Sequence, residues 1–162
     1  MPAPSNFSIR RYAAGDETAI ASIFCRAIHE VAVGDYTPEQ CLAWSGRRPN
    51  VEHWRERCRR KRPFVAEVEG RVAGFCELDP DGHIDCLYVD PDFMRRGIAS
   101  GLIRRAIDAA RAAGVDRVYV EASLTARPVF ERAGFRVVAQ QSVQVGDQRL
   151  VNFRMERAAD AS

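Results

Sequence analysis

The apolar positions along the chain change period several times, and each change marks an element. "FSIRRY" alternates as a first strand does. From Asp16 onward Ile20, Ile23, Phe24, Ala27, Ile28 and Val31 recur at helical spacing, and Gly34 stops the run. Thr37 as an N-cap with Pro38 at the first helical position predicts a second helix through "TPEQCLAW". A third, "NVEHWRERCRRKR", starts at Asn50 and ends at Pro63.

After Pro63 the period becomes two. "PFVAEVEGRVAGFCEL" reads as a hairpin turning at Glu69-Gly70, and "GHIDCLYVD" as a further antiparallel strand. Helical spacing returns from Gly97 with Ile98, Leu102, Ala106 and Ala109, and Gly114 closes that helix. "DRVYVEA" is then a strand, completing a strand-helix-strand unit. A short helix, "TARPVFERAG", precedes a last hairpin of "FRVVAQQSVQV" and "QRLVNFRME" around Gly146-Asp147. The predicted class is α+β, with a mixed, mainly antiparallel central sheet flanked by helices. No repeat or linker divides the chain, so residues 1–162 are expected to form a single domain.

Composition changes this picture little. The hydrophobic share of 46% and charged share of 28% are those of a water-soluble globular chain, and no apolar run is long enough to span a membrane. "MPAPSNFSIRRY" lacks the apolar core of a secretory leader, which makes the cytoplasm the expected location. Five cysteines at wide gaps read as reduced, mostly buried thiols. Neither they nor the three histidines show ligand spacing, so no metal site is expected.

Charge is uneven. Arg47 to Arg62 carries a net +6 within a chain of net +2, leaving −4 for the rest. Clustered cations attract anions, yet the core of this run, "RERCRRKR", has no interleaved aromatics or nucleic-acid motif and sits where cations offset a helix's negative pole. Nucleic acid is therefore not an expected partner.

The chemistry concentrates in "YVDPDFMRRGIASGLI", where a strand gives way to a helix. Unpaired N–H groups and a partial positive charge at the helix start make an anion site. Gly97 lets a phosphate reach the backbone, and Arg95 and Arg96 add cationic donors beside the N–H groups of Gly97, Ile98, Ala99 and Ser100. The spacing is neither that of a nucleoside-triphosphate loop nor that of a dinucleotide fold, which suggests some other diphosphate.

With "ASLTARPVFERAGF" further on, "LYVDPDFMRRGIAS" resembles the GNAT superfamily of N-acyltransferases. "IDCLYVDPDFMRRGIASGLI", "EASLTARPVFERAGF" and "NFRM" more narrowly resemble its bacterial YafP-like branch. The resemblance implies acetyl-CoA as co-substrate, with its pyrophosphate on the loop Met94 to Ser100. It also implies that the pantetheine arm runs beside Leu87, Tyr88 and Val89, where a backbone N–H polarises the thioester carbonyl. Met94 departs from the family's usual Gln or Arg. Phe130 stands where the family commonly has a Tyr that protonates the leaving thiolate, so the general acid is left open. Ser123 matches a position that often holds an Asn against the pantetheine arm, and it would serve equally as a capping hydroxyl.

An amine acceptor must lose a proton before attacking. His83 falls at the family's usual base position, Asp85 shares its strand face, and Glu77 lies on the preceding strand. Asp85, flanked by apolar neighbours, is the leading candidate. Strict alternation points Tyr88 away from it. Trp44, Trp54 and Tyr36 fall on early helices that in this family wall the acceptor site. The function this implies is N-acetyl transfer to a small-molecule or protein amine by direct attack, in a protein that, like many relatives, would form a homodimer. An acyl-CoA sensor with little turnover is the alternative.

Overall fold

The computed structural model describes residues 6–160. Residues 1–5, part of the stretch read for a leader, and residues 161–162 lie outside it. Seven strands form one sheet in the order β1-β2-β3-β4-β5-β7-β6. They are β1 (Ser8–Arg11), β2 (Phe64–Val68), β3 (Arg71–Leu78), β4 (His83–Val89), β5 (Arg117–Ser123), β6 (Arg136–Val145) and β7 (Gln148–Ala158). All neighbours are antiparallel except β4 and β5, which are parallel and pair only at His83↔Tyr119 and Ile84↔Val120. Beyond those two pairs the strands part.

Helices cover both faces. α1 (Glu17–Arg26), α2 (Pro38–Ser45) and α3 (Val51–Lys61) lie on one, and α4 (Ile98–Ala112) and α5 (Arg127–Arg132) on the other. α4 earns its place by its apolar stripe: Ile98, Leu102, Ile103, Ala106, Ile107 and Ala110 are all buried. Each large aliphatic side chain so placed contributes roughly 1.5–3 kcal/mol relative to exposure. Thr37 and Gln40 form the capping box that starts α2, and Asn50 caps α3.

Two local departures from the sequence reading matter for the site. The first helical run does not keep one pitch. α1 ends at Arg26, a π turn follows over Ala27–Val31, and a 3₁₀ turn over Ala32–Gly34. Apolar spacing alone does not separate these pitches. Asp16 does not cap α1 with its side chain, which instead binds Arg10 at 2.7 and 3.0 Å and the Ala13 N–H at 2.9 Å.

The second departure is in β4. Its register against β3 shifts between Glu77↔Cys86 and Leu78↔Ile84, so Asp85 is an extra, unpaired residue. The bulge places Asp85 and Cys86 on the same face, the one under α1 and α3. Tyr88 therefore lies on the face of Asp85, packed edge-on against Phe24 at 5.0 Å, where strict alternation had pointed it away.

Candidate active site

Where β4 and β5 part, a cleft of about 260 Å³ opens through the sheet. Leu87, Tyr88 and Val89 line one side and Ser123 the other. These β4 residues lack strand partners on the β5 side, so their backbone groups are open to an extended ligand.

One end of the cleft is made by Met94, Arg95, Gly97, Ile98, Ala99 and Ser100. The loop is shaped for anions: Arg95 and Gly97 both take left-handed conformations, with φ of 63° and 79°. No atom lies within 4 Å of where a Gly97 Cβ would stand, so the space over the first turn of α4 is free. Arg96 lies with its guanidinium 5.2 Å from the Phe93 ring. The approach to the loop is braced by Asp90, whose carboxylate accepts the Asp92 N–H at 2.8 Å and Arg26 at 3.0 Å.

The other end is apolar. The π turn and its continuation present Ala27, Ile28, Val31 and Ala32, and α2 adds Trp44. Tyr36 locks this cover to the sheet, since its hydroxyl accepts the Leu124 N–H at 2.9 Å and donates to the Val151 carbonyl at 2.6 Å. Both of its hydrogen-bonding capacities are thereby used in anchoring.

The three candidate bases sit together but not in the cleft lining. Glu77 is wholly buried, both its oxygens held by Arg57 at 2.7–3.1 Å. Asp85 Oδ2 receives Arg57 at 2.9 Å and Lys61 at 2.8 Å. Burial pushes its carboxyl up, yet Lys61 and Arg57 together hold it below the usual carboxylate value. Its Oδ1 makes no hydrogen bond among the described residues. His83 Nδ1 lies 3.2 Å from Asp79 and Nε2 2.5 Å from Glu121. Two carboxylates facing both ring nitrogens favour the imidazolium form, which offers an N–H to each. Burial lowers its affinity for the proton, but Glu121 and Asp79 outweigh that and raise it.

Ser123 Oγ accepts the Ala126 N–H at 3.0 Å, acting as a turn cap while it borders the cleft. Phe130 does neither. Its ring is fully buried against Phe135 at 5.1 Å, and Ala126, Val129 and Arg132 of the same segment reach the cleft instead. Trp54 belongs to the core beside Phe24 and Phe75, so of the early aromatics Trp44 is the one that borders the cleft. Cys86, on the same face as Asp85, has its thiol pushed well up, by burial first and then by Glu77, which keeps it protonated and a poor nucleophile. Sequence reasoning missed Arg57 and Glu121. The first looked like part of a solvated basic run, and the second carried only the weak signal of a polar residue on a mid-sheet strand.

The fold recurs in known proteins. The family model described as an acetyltransferase (GNAT) domain matches residues 32–157. The uncharacterized N-acetyltransferase YafP of Escherichia coli K12 is 36% identical over 151 residues, covering 93% of this chain and 95% of that one. A GCN5-related N-acetyltransferase from Rhodopseudomonas palustris superposes with a TM-score of 0.91 at 28% identity, over 98% of this chain and 99% of that one. The yncA protein of Salmonella typhimurium, solved with its cofactor acetyl-CoA, superposes at 0.71 with 22% identity, over 98% and 96%. By a family match spanning most of its length and a full-length relative above 30% identity, this chain belongs to the GNAT acetyltransferase family.

Proposed function

We propose that this enzyme transfers an acetyl group from acetyl-CoA to an amine by direct attack. The observation that carries the reading is the cleft at the parting of β4 and β5, with an anion-shaped loop at one end and an apolar chamber at the other. The pyrophosphate of coenzyme A would rest on Arg95, Arg96 and the N–H groups of Gly97 to Ser100, and the pantetheine arm along Leu87, Tyr88 and Val89, with Ser123 opposite. An open β4 N–H would polarise the thioester carbonyl as negative charge grows on it. The acetyl-CoA named for the Salmonella protein of the same fold supports this choice of co-substrate.

A free amine nitrogen forms the bond to the acetyl carbon, and the carbon–sulfur bond breaks to release coenzyme A thiolate. The protonated Cys86 gives no foothold for an acetyl-cysteine intermediate. Glu77 is sealed by Arg57, and both ring nitrogens of His83 are engaged by Asp79 and Glu121, so Asp85 through Oδ1 is our choice to take the proton that the attacking nitrogen sheds. Because Asp85 stays ionised well below neutrality, it sets no limb of the pH profile there. kcat/KM should therefore rise with pH along the acceptor's own deprotonation, toward a pKa near 10.4 for an alkylamine. With Phe130 in the core, the thiolate leaves without a Tyr donor from α5, consistent with a thiol reference pKa of about 8.5.

Thiol release from acetyl-CoA, measured with a panel of primary amines between pH 6 and 9.5, tests the reading. Amine-dependent release that climbs with pH is expected. Coenzyme A binding with no release for any amine would instead make the protein an acyl-CoA sensor.

A further inference from the structure

Among the described residues, one buried side-chain nitrogen or oxygen has no hydrogen-bond partner: Oδ1 of Asn152 on β7. Native proteins pair nearly all such atoms, so an acceptor left open by the described residues takes its donor from an ordered water or from a bound ligand. Its position says where that donor would come from. Asn152 pairs with Ser123 on β5, and directly opposed residues share a face with Cβ atoms about 4.5–5.5 Å apart. Ser123 borders the cleft. Two residues earlier in the same row, Leu150 is buried with Ile28, Ala32 and Tyr36, and two residues later Arg154 is exposed. Asn152 thus stands at the rim of the apolar cover behind Ser123, one strand removed from the parting and just outside the cleft lining.

The chemistry nearby narrows the donor further. At the closed end of the parting, Arg57, Lys61 and His83 are taken up by Glu77, Asp85, Asp79 and Glu121. Beyond β4 the chamber is walled by Ala27, Ile28, Val31, Ala32 and Trp44, none of them charged. A second ammonium or a carboxylate on the acceptor would find no counter-charge on these walls; the charged residues of the cleft lining, Arg95 and Arg132, belong to the loop before α4 and to α5, on the other face of the sheet.

We propose that Asn152 Oδ1 accepts an N–H from the acceptor, and that the acceptor is a primary amine on an apolar, uncharged substituent lying against Ala32 and Trp44. This rests on the acetyl-transfer reading. The bond holds the nitrogen at the parting of the strands while its lone pair faces the thioester. A pantetheine amide is the other possible source of an N–H, and the test separates the two.

Asn152→Leu keeps the volume and removes the acceptor; Asn152→Ala serves if the leucine variant does not fold. With benzylamine and hexylamine, kcat/KM should fall at least 10-fold, mainly through KM, while coenzyme A affinity by calorimetry stays within twofold. Wild type should use spermidine and glycine at least 10-fold less well than either probe. Unchanged kcat/KM in the variants overturns the assignment, as does preferred use of spermidine or glycine. A matching loss of coenzyme A affinity overturns it in favour of the pantetheine source. If wild type releases no thiol with any amine, the acetyl-transfer reading fails by itself. The Asn152 assignment is then decided by the thermal shift that benzylamine produces in the presence of coenzyme A: a shift lost in the variants upholds it, and one absent from wild type or retained in the variants overturns it.

Discussion

Arg57 shows how one side chain can convert an apparent surface charge into a structural demand. Its guanidinium makes three contacts of 2.7–3.1 Å with Glu77, a fourth of 2.9 Å with Asp85, and lies 5.4 Å from the Trp54 ring. Glu77 has no exposed side-chain surface, so it depends on this partner for its charge. Breaking a buried pair by removing one member costs about 3–5 kcal/mol, because the other charge is left uncompensated. Arg57→Met keeps much of the stem's packing and removes the charge. Its melting temperature, read by circular dichroism, should drop by roughly 6–20 °C, taking about 2–4 °C per kcal/mol for a chain of this size. Adding Glu77→Gln should return much of the loss, since a neutral amide needs no counter-cation. A variant that melts like wild type would mean that Glu77 is satisfied in some other way.

At the scale of elements, the Gly97 loop is held in place by the close approach of α4 and β4 to Gly74 in β3. Gly74 in β3 pairs with Val89, and a Cβ there would meet the Tyr88 carbonyl oxygen at 3.0 Å, Ile98 Cγ2 at 3.1 Å and Leu102 Cδ1 at 3.3 Å. A larger residue must push the first turns of α4 away from β4, shifting the Gly97 loop relative to Leu87 and Val89. Gly74→Val should cost about 1–3 kcal/mol, as overpacking does, and weaken coenzyme A binding measured by calorimetry. Gly34→Ala is the control, because nothing lies within 4 Å of that site and its φ is not positive. It should bind and melt as wild type does. The order of elements behind this arrangement was legible in the sequence because strands and helices alternate with clear changes of period. So were the Gly97 loop and the strand beside it, since their signal is local. The bulge at Asp85 was not, because it is a property of the β3–β4 register. Nor was the pairing of Arg57 with Glu77, which joins residues 20 apart that only the packing of α3 on the sheet brings together.

The whole molecule is two half-sheets joined at a narrow seam. β1 to β4 with α4 form one half and β5 to β7 with α5 the other, and the strands of the two halves meet only at His83↔Tyr119 and Ile84↔Val120. Contacts of α4 with α5 and β5, of α2 with β6 and β7, and the Tyr36 hydrogen bonds to Leu124 and Val151 also cross the junction. A ligand lying along Leu87, Tyr88 and Val89, reaching Ser123 and ending on the Gly97 loop, would span that seam. Since it binds the joined state and not the unfolded chain, a concentration 100 times its Kd should add about 2.7 kcal/mol of stability. For a domain of this size that is a rise of roughly 5–10 °C in melting temperature. Stabilisation alone does not say where the ligand lies, because binding at the phosphate loop would raise the melting point too. Hydrogen exchange separates the cases. A ligand added along the open edge should slow exchange at β4 amides from Leu87 to Val89 and near Ser123 as well as in the first turn of α4. If protection with coenzyme A is confined to the first turn of α4, the pantetheine arm does not occupy the parting of the strands, and the proposed path of the acetyl group through the sheet is wrong.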